Sequence, residues 1–143
     1  MIYHHKEDIS FLPKEKLSLR KWIVDTISKE GKTIGDINYI YCSDEYLLSL
    51  NQSALDHDYY TDIITFDYVE EQIISGDLFI SVDRVKENAL ELKSSFEDEL
   101  HRVMIHGVLH LCGHGDKSPH ESKIMRSKED FYLSIRPEKL ITN

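Results

Sequence analysis

Leu100-His101-Arg102-Val103-Met104-Ile105-His106-Gly107-Val108-Leu109-His110-Leu111-Cys112-Gly113-His114-Gly115-Asp116 is the stretch on which the reading of this chain turns. Leu100, Val103, Met104, Val108 and Leu111 recur at helical spacing, and Ile105, Leu109 and Cys112 add a second apolar stripe. A helix that is apolar over most of its girth belongs in a core. His106 and His110 stand four residues apart, so they share one face and could grip one ion. Gly113 follows a turn later and is free to take the left-handed conformation that ends a helix. Gly115 adds further freedom, and the returning chain can bring Asp116 to the same ion. Three protein ligands with an open fourth position mark a catalytic zinc rather than a structural one.

The plainer reading is a pair of core histidines. Two imidazoles buried without partners would be costly, which favours a metal site. His114 and His120 are rival third ligands. His114 directly follows the helix-ending glycine, and His120 falls at the start of the next helix. Cys112 lies about 200° around the helix from His110 and should point away. His101 reads as unrelated, and His4, His5 and His57 as surface residues. The spacing also fits the metzincin frame H-E-x-x-H-x-x-G-x-x-H, but Gly107 stands where that frame carries its general base. A zinc-dependent protease needs that proton acceptor, so peptide hydrolysis is disfavoured.

Working outward, Ser94 with Glu97 fits a capping box for this helix. Leu17, Ile23, Val24 and Ile27 suggest an amphipathic helix after Pro13, running to about Gly31. Ile37 to Cys42 reads as a strand. Ser43 then caps a short helix from Asp44 to about Leu55. Thr61–Tyr68 and Ile73–Val82 read as two strands joined as an antiparallel hairpin. Asp83 opens another helix, and a last one runs from Pro119 to about Ile135. Ile2-Tyr3-His4 could add a strand. The pattern predicts an α+β fold: a small mixed β-sheet flanked by helices, with a core helix carrying the metal ligands in a cleft.

The 143 residues are one ordinary domain's worth, read here as a single domain over 1–143. The absence of a long apolar run argues against a membrane span, and the polar first ten residues against a signal peptide. Cys42 and Cys112 are too few for a disulfide scaffold and suit reduced, buried thiols in the cytoplasm. The net charge of −9 argues against a simple nucleic-acid binder. Its distribution changes that picture. Between Thr33 and Asp83 stand eleven acids and no Lys or Arg, while the rest of the chain holds 17 bases against 15 acids. A polyanion could therefore meet the basic part, including Lys14, Lys16, Arg20, Lys21, Lys29 and Lys32, although a solvated helix face is the commoner origin of such a run.

His106-Gly107-x-Leu109-His110-Leu111-x-Gly113 resembles the HGxLHLxGYDH signature of the YbeY family. Leu50-Asn51, Asp58 and Thr61-Asp62-Ile63-Ile64-Thr65-Phe66 are similar to its LN…D.PTDVLSF block. Gly76-Asp77-Leu78-Phe79-Ile80-Ser81 resembles its GDI-IS strand, and Met125-x3-Glu129 its M…E pairing. The resemblance runs from about Ile37 to Glu129. It implies an α+β fold with zinc in a cleft, and metal-dependent cleavage of single-stranded RNA. It further implies roles in maturing the 3′ end of small-subunit rRNA and in ribosome quality control. The implied partners are RNA and the small ribosomal subunit, with neither DNA nor membrane.

Three departures stand out. Asp116 occupies the position of the family's third histidine; carboxylate is an accepted zinc ligand, but the site becomes less positive. Leu55 stands where the family commonly has Arg, which removes a phosphate contact. Tyr60 replaces a proline. Asp62 and His114 are the candidates for a general base. The alternative is a ribosome-assembly binding factor whose metal is mainly structural.

Overall fold

The computed structural model describes residues 1–141. Ile2–Lys6 forms β1, Lys16–Lys29 forms α1, and Thr33–Cys42 forms β2, which lies parallel to β1. Parallel neighbours need such a crossover, and α1 supplies it. After α2 (Asp44–Leu55) come β3 (Ile63–Asp67) and β4 (Ile73–Ser81), an antiparallel pair whose second strand runs parallel to β2. The sheet order is β1-β2-β4-β3. Then follow α3 (Val82–Leu92), α4 (Phe96–Leu111), α5 (Pro119–Ser134) and a short 3₁₀ turn at Glu138–Leu140. This is the mixed α+β arrangement that the sequence pattern predicts.

Alternation along the strands makes two layers of core. Ile37, Tyr39 and Tyr41 of β2, with Ile74, Leu78 and Ile80 of β4, pack against Leu19, Trp22, Ile23 and Ile27 of α1 and the apolar girth of α4. The intervening residues Cys42, Ile64, Phe66 and Phe79 form a smaller cluster with Leu47 of α2. Helix α4 crosses the sheet closely. The Tyr39 hydroxyl donates to the Met104 carbonyl at 3.1 Å. A Cβ at Gly107 would lie 2.8 Å from Ile63 and 3.1 Å from Leu78. The metzincin base therefore has no room here: a glutamate at 107 would have to enter the helix–sheet interface.

Several local expectations shift. Strand β2 starts at Thr33 rather than Ile37, because Thr33 and Ile34 pair with Ile73 and Ile74 before the register slips. Ser95, not Ser94, caps α4, accepting from the Asp98 amide at 3.0 Å. Ser94 is taken by the end of α3: Lys93 adopts the left-handed conformation and the Ser94 amide bonds back to the Ala89 carbonyl. A capping box does occur at α5, between Ser118 and Glu121. His4 is not a simple surface residue. It stacks on Tyr39 and Tyr41, with Nδ1 2.9 Å from the Tyr41 hydroxyl, and burial pulls its pKa down to about 4. His5 and His57 are exposed. Both cysteines are free, and burial pushes Cys42 up to about 12 and Cys112 to about 11, which suits inert thiols. Among the described residues, no helix is long and apolar enough to cross a membrane.

Candidate metal centre

Helix α4 ends as the glycine spacing predicts. Gly113 has φ of +105°, its amide bonds to the His110 carbonyl, and the His114 amide bonds to the Leu109 carbonyl, each at 3.0 Å. This is a Schellman turn, and it sends the chain back across the end of α4. Asp116 returns to the face carrying His106 and His110. Its Oδ2 lies 3.4 Å from Nε2 of each histidine, and the two rings sit 4.6 Å apart at 82°. One ligand atom from each of the three residues falls within 4.8 Å of the others. Two imidazoles and a carboxylate in that arrangement could hold a transition-metal ion, and half-exposed Asp116 leaves the centre open to solvent.

The rivals lie elsewhere. His114 Nε2 is 2.6 Å from Glu30 at the end of α1. Lys128 and the Tyr132 hydroxyl join the same carboxylate, so this cluster ties the turn after α4 to α1 and α5. His120 lies with Lys123 and Phe131 in a separate groove on α5. Cys112 packs against the main core and is not part of the group that could hold the ion. His101 is buried edge-on to Trp22, with Nδ1 2.9 Å from Arg136.

The site has a support that helical spacing does not reveal. Glu129 of α5 is 5% exposed, and its Oε2 lies 2.7 Å from His106 Nδ1. Its other oxygen accepts from Arg102 at 3.0 Å, and Arg102 also holds Asp130 at 2.8 Å. With Glu129 ionised, His106 Nδ1–H donates to it, which leaves Nε2 free to face Asp116. Burial disfavours charge on His106, but the carboxylates of Glu129, Asp116 and Asp62 together outweigh it and raise the imidazole pKa. His110 goes the other way, lowered by burial and by the neighbouring His106. The family's M…E pairing pointed at Glu129 without giving it a partner. Arg102 carried no signal in the sequence.

Two openings meet at the centre. A cleft of about 430 Å³ between α3, α4 and α5 is lined by Asp62, Asn88, Glu99, Arg102, His106 and Asp116 among others. A groove of about 510 Å³ on the other side is lined by Leu55, His57, Tyr59, Asp62, His110 and Lys117. Asp62 borders both, and burial pushes its carboxyl above the usual range.

The family described as Endoribonuclease YbeY matches residues 2–135. The chain is 52% identical over 136 residues to a protein named Endoribonuclease YbeY from Cytophaga hutchinsonii, covering 94% of this chain and 95% of that one. It is 50% identical to the like-named protein of Parabacteroides distasonis, covering 96% of each. A Thermotoga maritima protein solved in solution superimposes with a TM-score of 0.67 at 31% identity, over 94% of this chain and 87% of that one. The fold, the family match and these relatives agree: the chain belongs to the YbeY family.

Proposed function

We propose that residues 1–143 form one metal-dependent endoribonuclease domain that cuts single-stranded RNA, with zinc as the working ion. Its place is the cytoplasm, its substrate small-subunit ribosomal RNA, and its roles 3′-end maturation and ribosome quality control. The observation that carries this reading is the convergence of His106, His110 and Asp116 within 4.8 Å at the wall of an open groove, in a chain whose relatives are named endoribonucleases. When bound, such an ion supplies Lewis acidity to a water or to a phosphoryl oxygen.

The other roles fall to the chain itself. Glu129 fixes the ring and tautomer of His106, and Arg102 keeps Glu129 ionised. Asp62 is the residue we assign to accept a proton. It borders both openings beside His106, and its raised pKa moves it toward the range in which a base works near neutral pH. His114, the other candidate, is engaged by Glu30 and borders neither opening.

The test uses purified protein with a labelled single strand and the same sequence as a duplex. Chelation should abolish cleavage, zinc should restore it, and the duplex should resist. Cleavage that survives exhaustive chelation overturns metal dependence, and equal cutting of the duplex overturns strand selectivity. A second reading, an assembly factor with a structural ion, draws on Leu55 lining the groove where the family commonly has an arginine. His110→Ala separates the two: a folded, inactive variant supports catalysis, and an unfolded one supports the structural ion.

A further inference from the structure

The groove over His106, His110 and Asp116 carries little positive charge. Asp62, Asp67 and Asp116 line it, with Lys117 as the one cation among the described lining residues. A divalent ion would bring that wall only to about neutral. A polyphosphate backbone therefore meets no Coulomb surplus there, and Leu55 adds only apolar surface.

What the groove offers instead is exposed ring. Tyr59 is 51% exposed, and His57 lies against it with ring centroids 5.1 Å apart. The Tyr59 hydroxyl is 3.0 Å from His57 Nδ1. The short loop that carries them is clamped by buried Asn51. Its Nδ2 donates to the Tyr59 carbonyl at 3.0 Å, and its own carbonyl accepts from the His57 amide at 3.0 Å. Asp56 makes the turn with φ of +56°. The neighbouring Tyr60 is occupied elsewhere: its hydroxyl donates to Glu45 at 2.7 Å, and the Arg84 guanidinium sits 5.2 Å from its ring centre. Tyr59 is thus a fixed, open aromatic face on the same wall as the metal centre.

We propose that the Tyr59–His57 pair is a base platform, on which an unpaired nucleobase next to the scissile phosphate stacks. The inference rests on RNA being the substrate. Stacking is tolerant of base identity, because every base has a π-face, yet it requires a base free of its helix. The platform would therefore select single strands and would hold them by base contact more than by phosphate–cation pairs.

The experiment measures binding of a fluorescent single-stranded RNA of about 12 nucleotides in chelator, by anisotropy, across a salt series. Tyr59→Ala should weaken binding roughly 5- to 150-fold. Tyr59→Phe should bind near wild type, and Tyr59→Leu should weaken like the alanine variant. Removing one base near the cut should cost affinity in wild type but not in Tyr59→Ala. The log–log salt slope should be shallow, about −1, and unchanged in Tyr59→Ala. Melting curves for all variants report whether the loop still folds, and the phenylalanine rescue does so independently. Wild-type binding by Tyr59→Ala or Tyr59→Leu overturns the platform. So does a steep slope of about −3 or beyond, which would point to the lysines of α1 and α5. Either result leaves RNA as substrate intact. Wild-type protein that binds no RNA, either in chelator or loaded with zinc, removes the substrate reading, and the platform with it.

Discussion

Glu129→Gln is the substitution that bears most sharply on how the metal centre is held. Burial would raise the Glu129 carboxyl, but the hydrogen bonds from His106 and Arg102 outweigh it and hold it below the ordinary carboxylate range. It is therefore ionised at neutral pH and accepts from two donors at 2.7 and 3.0 Å. Glutamine keeps the shape but has one acceptor oxygen and one NH₂. Whichever donor meets the oxygen, the other meets an N–H.

Breaking a buried charged pair costs about 3–5 kcal/mol. Arg102 is partly exposed and keeps Asp130, so about 2–3 kcal/mol is the better figure here. For a chain of this size that lowers the melting temperature by roughly 6–12 °C. Metal affinity should fall about 10- to 100-fold, because His106 is no longer fixed in the tautomer that presents Nε2. Differential scanning fluorimetry reads the first quantity, and competition against a chelating dye reads the second. A variant that loses stability but keeps its metal affinity within about threefold would refute the reasoning and leave Glu129 a packing residue.

Other consequences follow from the same geometry. Gly113→Ala should cost about 1–2 kcal/mol, because φ of +105° disfavours a side chain although nothing crowds a Cβ there; its metal affinity should fall as Asp116 loses its approach, which calorimetry measures. Asp62→Asn should lower kcat about 10²- to 10⁴-fold with metal content and melting temperature near wild type; unchanged turnover in a cleavage assay removes Asp62 as the base. Burial and Arg136 pull His101 down to about 4, below its ordinary 6.5. The unfolded chain then binds the extra proton between those values, so this stability is present above pH 6.5 and is lost as pH falls toward 4. The loss at His101 is about 3 kcal/mol at most, and denaturant titration of His101→Phe across that window should show a flatter slope than wild type.

What was legible in the sequence is what short-range chemistry fixes. His106 and His110 share a face because four residues make about one helical turn, and Gly113 ends the helix because its conformation is local. The two strands around Glu70-Glu71 and the Ser43 cap follow from turn and capping preferences of the same kind. The supports of the site were not legible. Glu129 reaches His106 across 23 residues, and His114 reaches Glu30 across 84, through packing of α1, α4 and α5 that no spacing encodes. His4 looked like a surface residue because its two stacking partners lie on another strand. The cap at Ser95 was missed by one position, because the end of α3 competes for Ser94. Gly107 read only as a missing base until the sheet beneath it came into view.

The most direct test of the central claim is elemental analysis of the purified protein, wild type beside Asp116→Ala. About one zinc per chain is expected in wild type and much less in the variant. No metal in wild type, or an unchanged content in Asp116→Ala, would contradict the His106–His110–Asp116 centre.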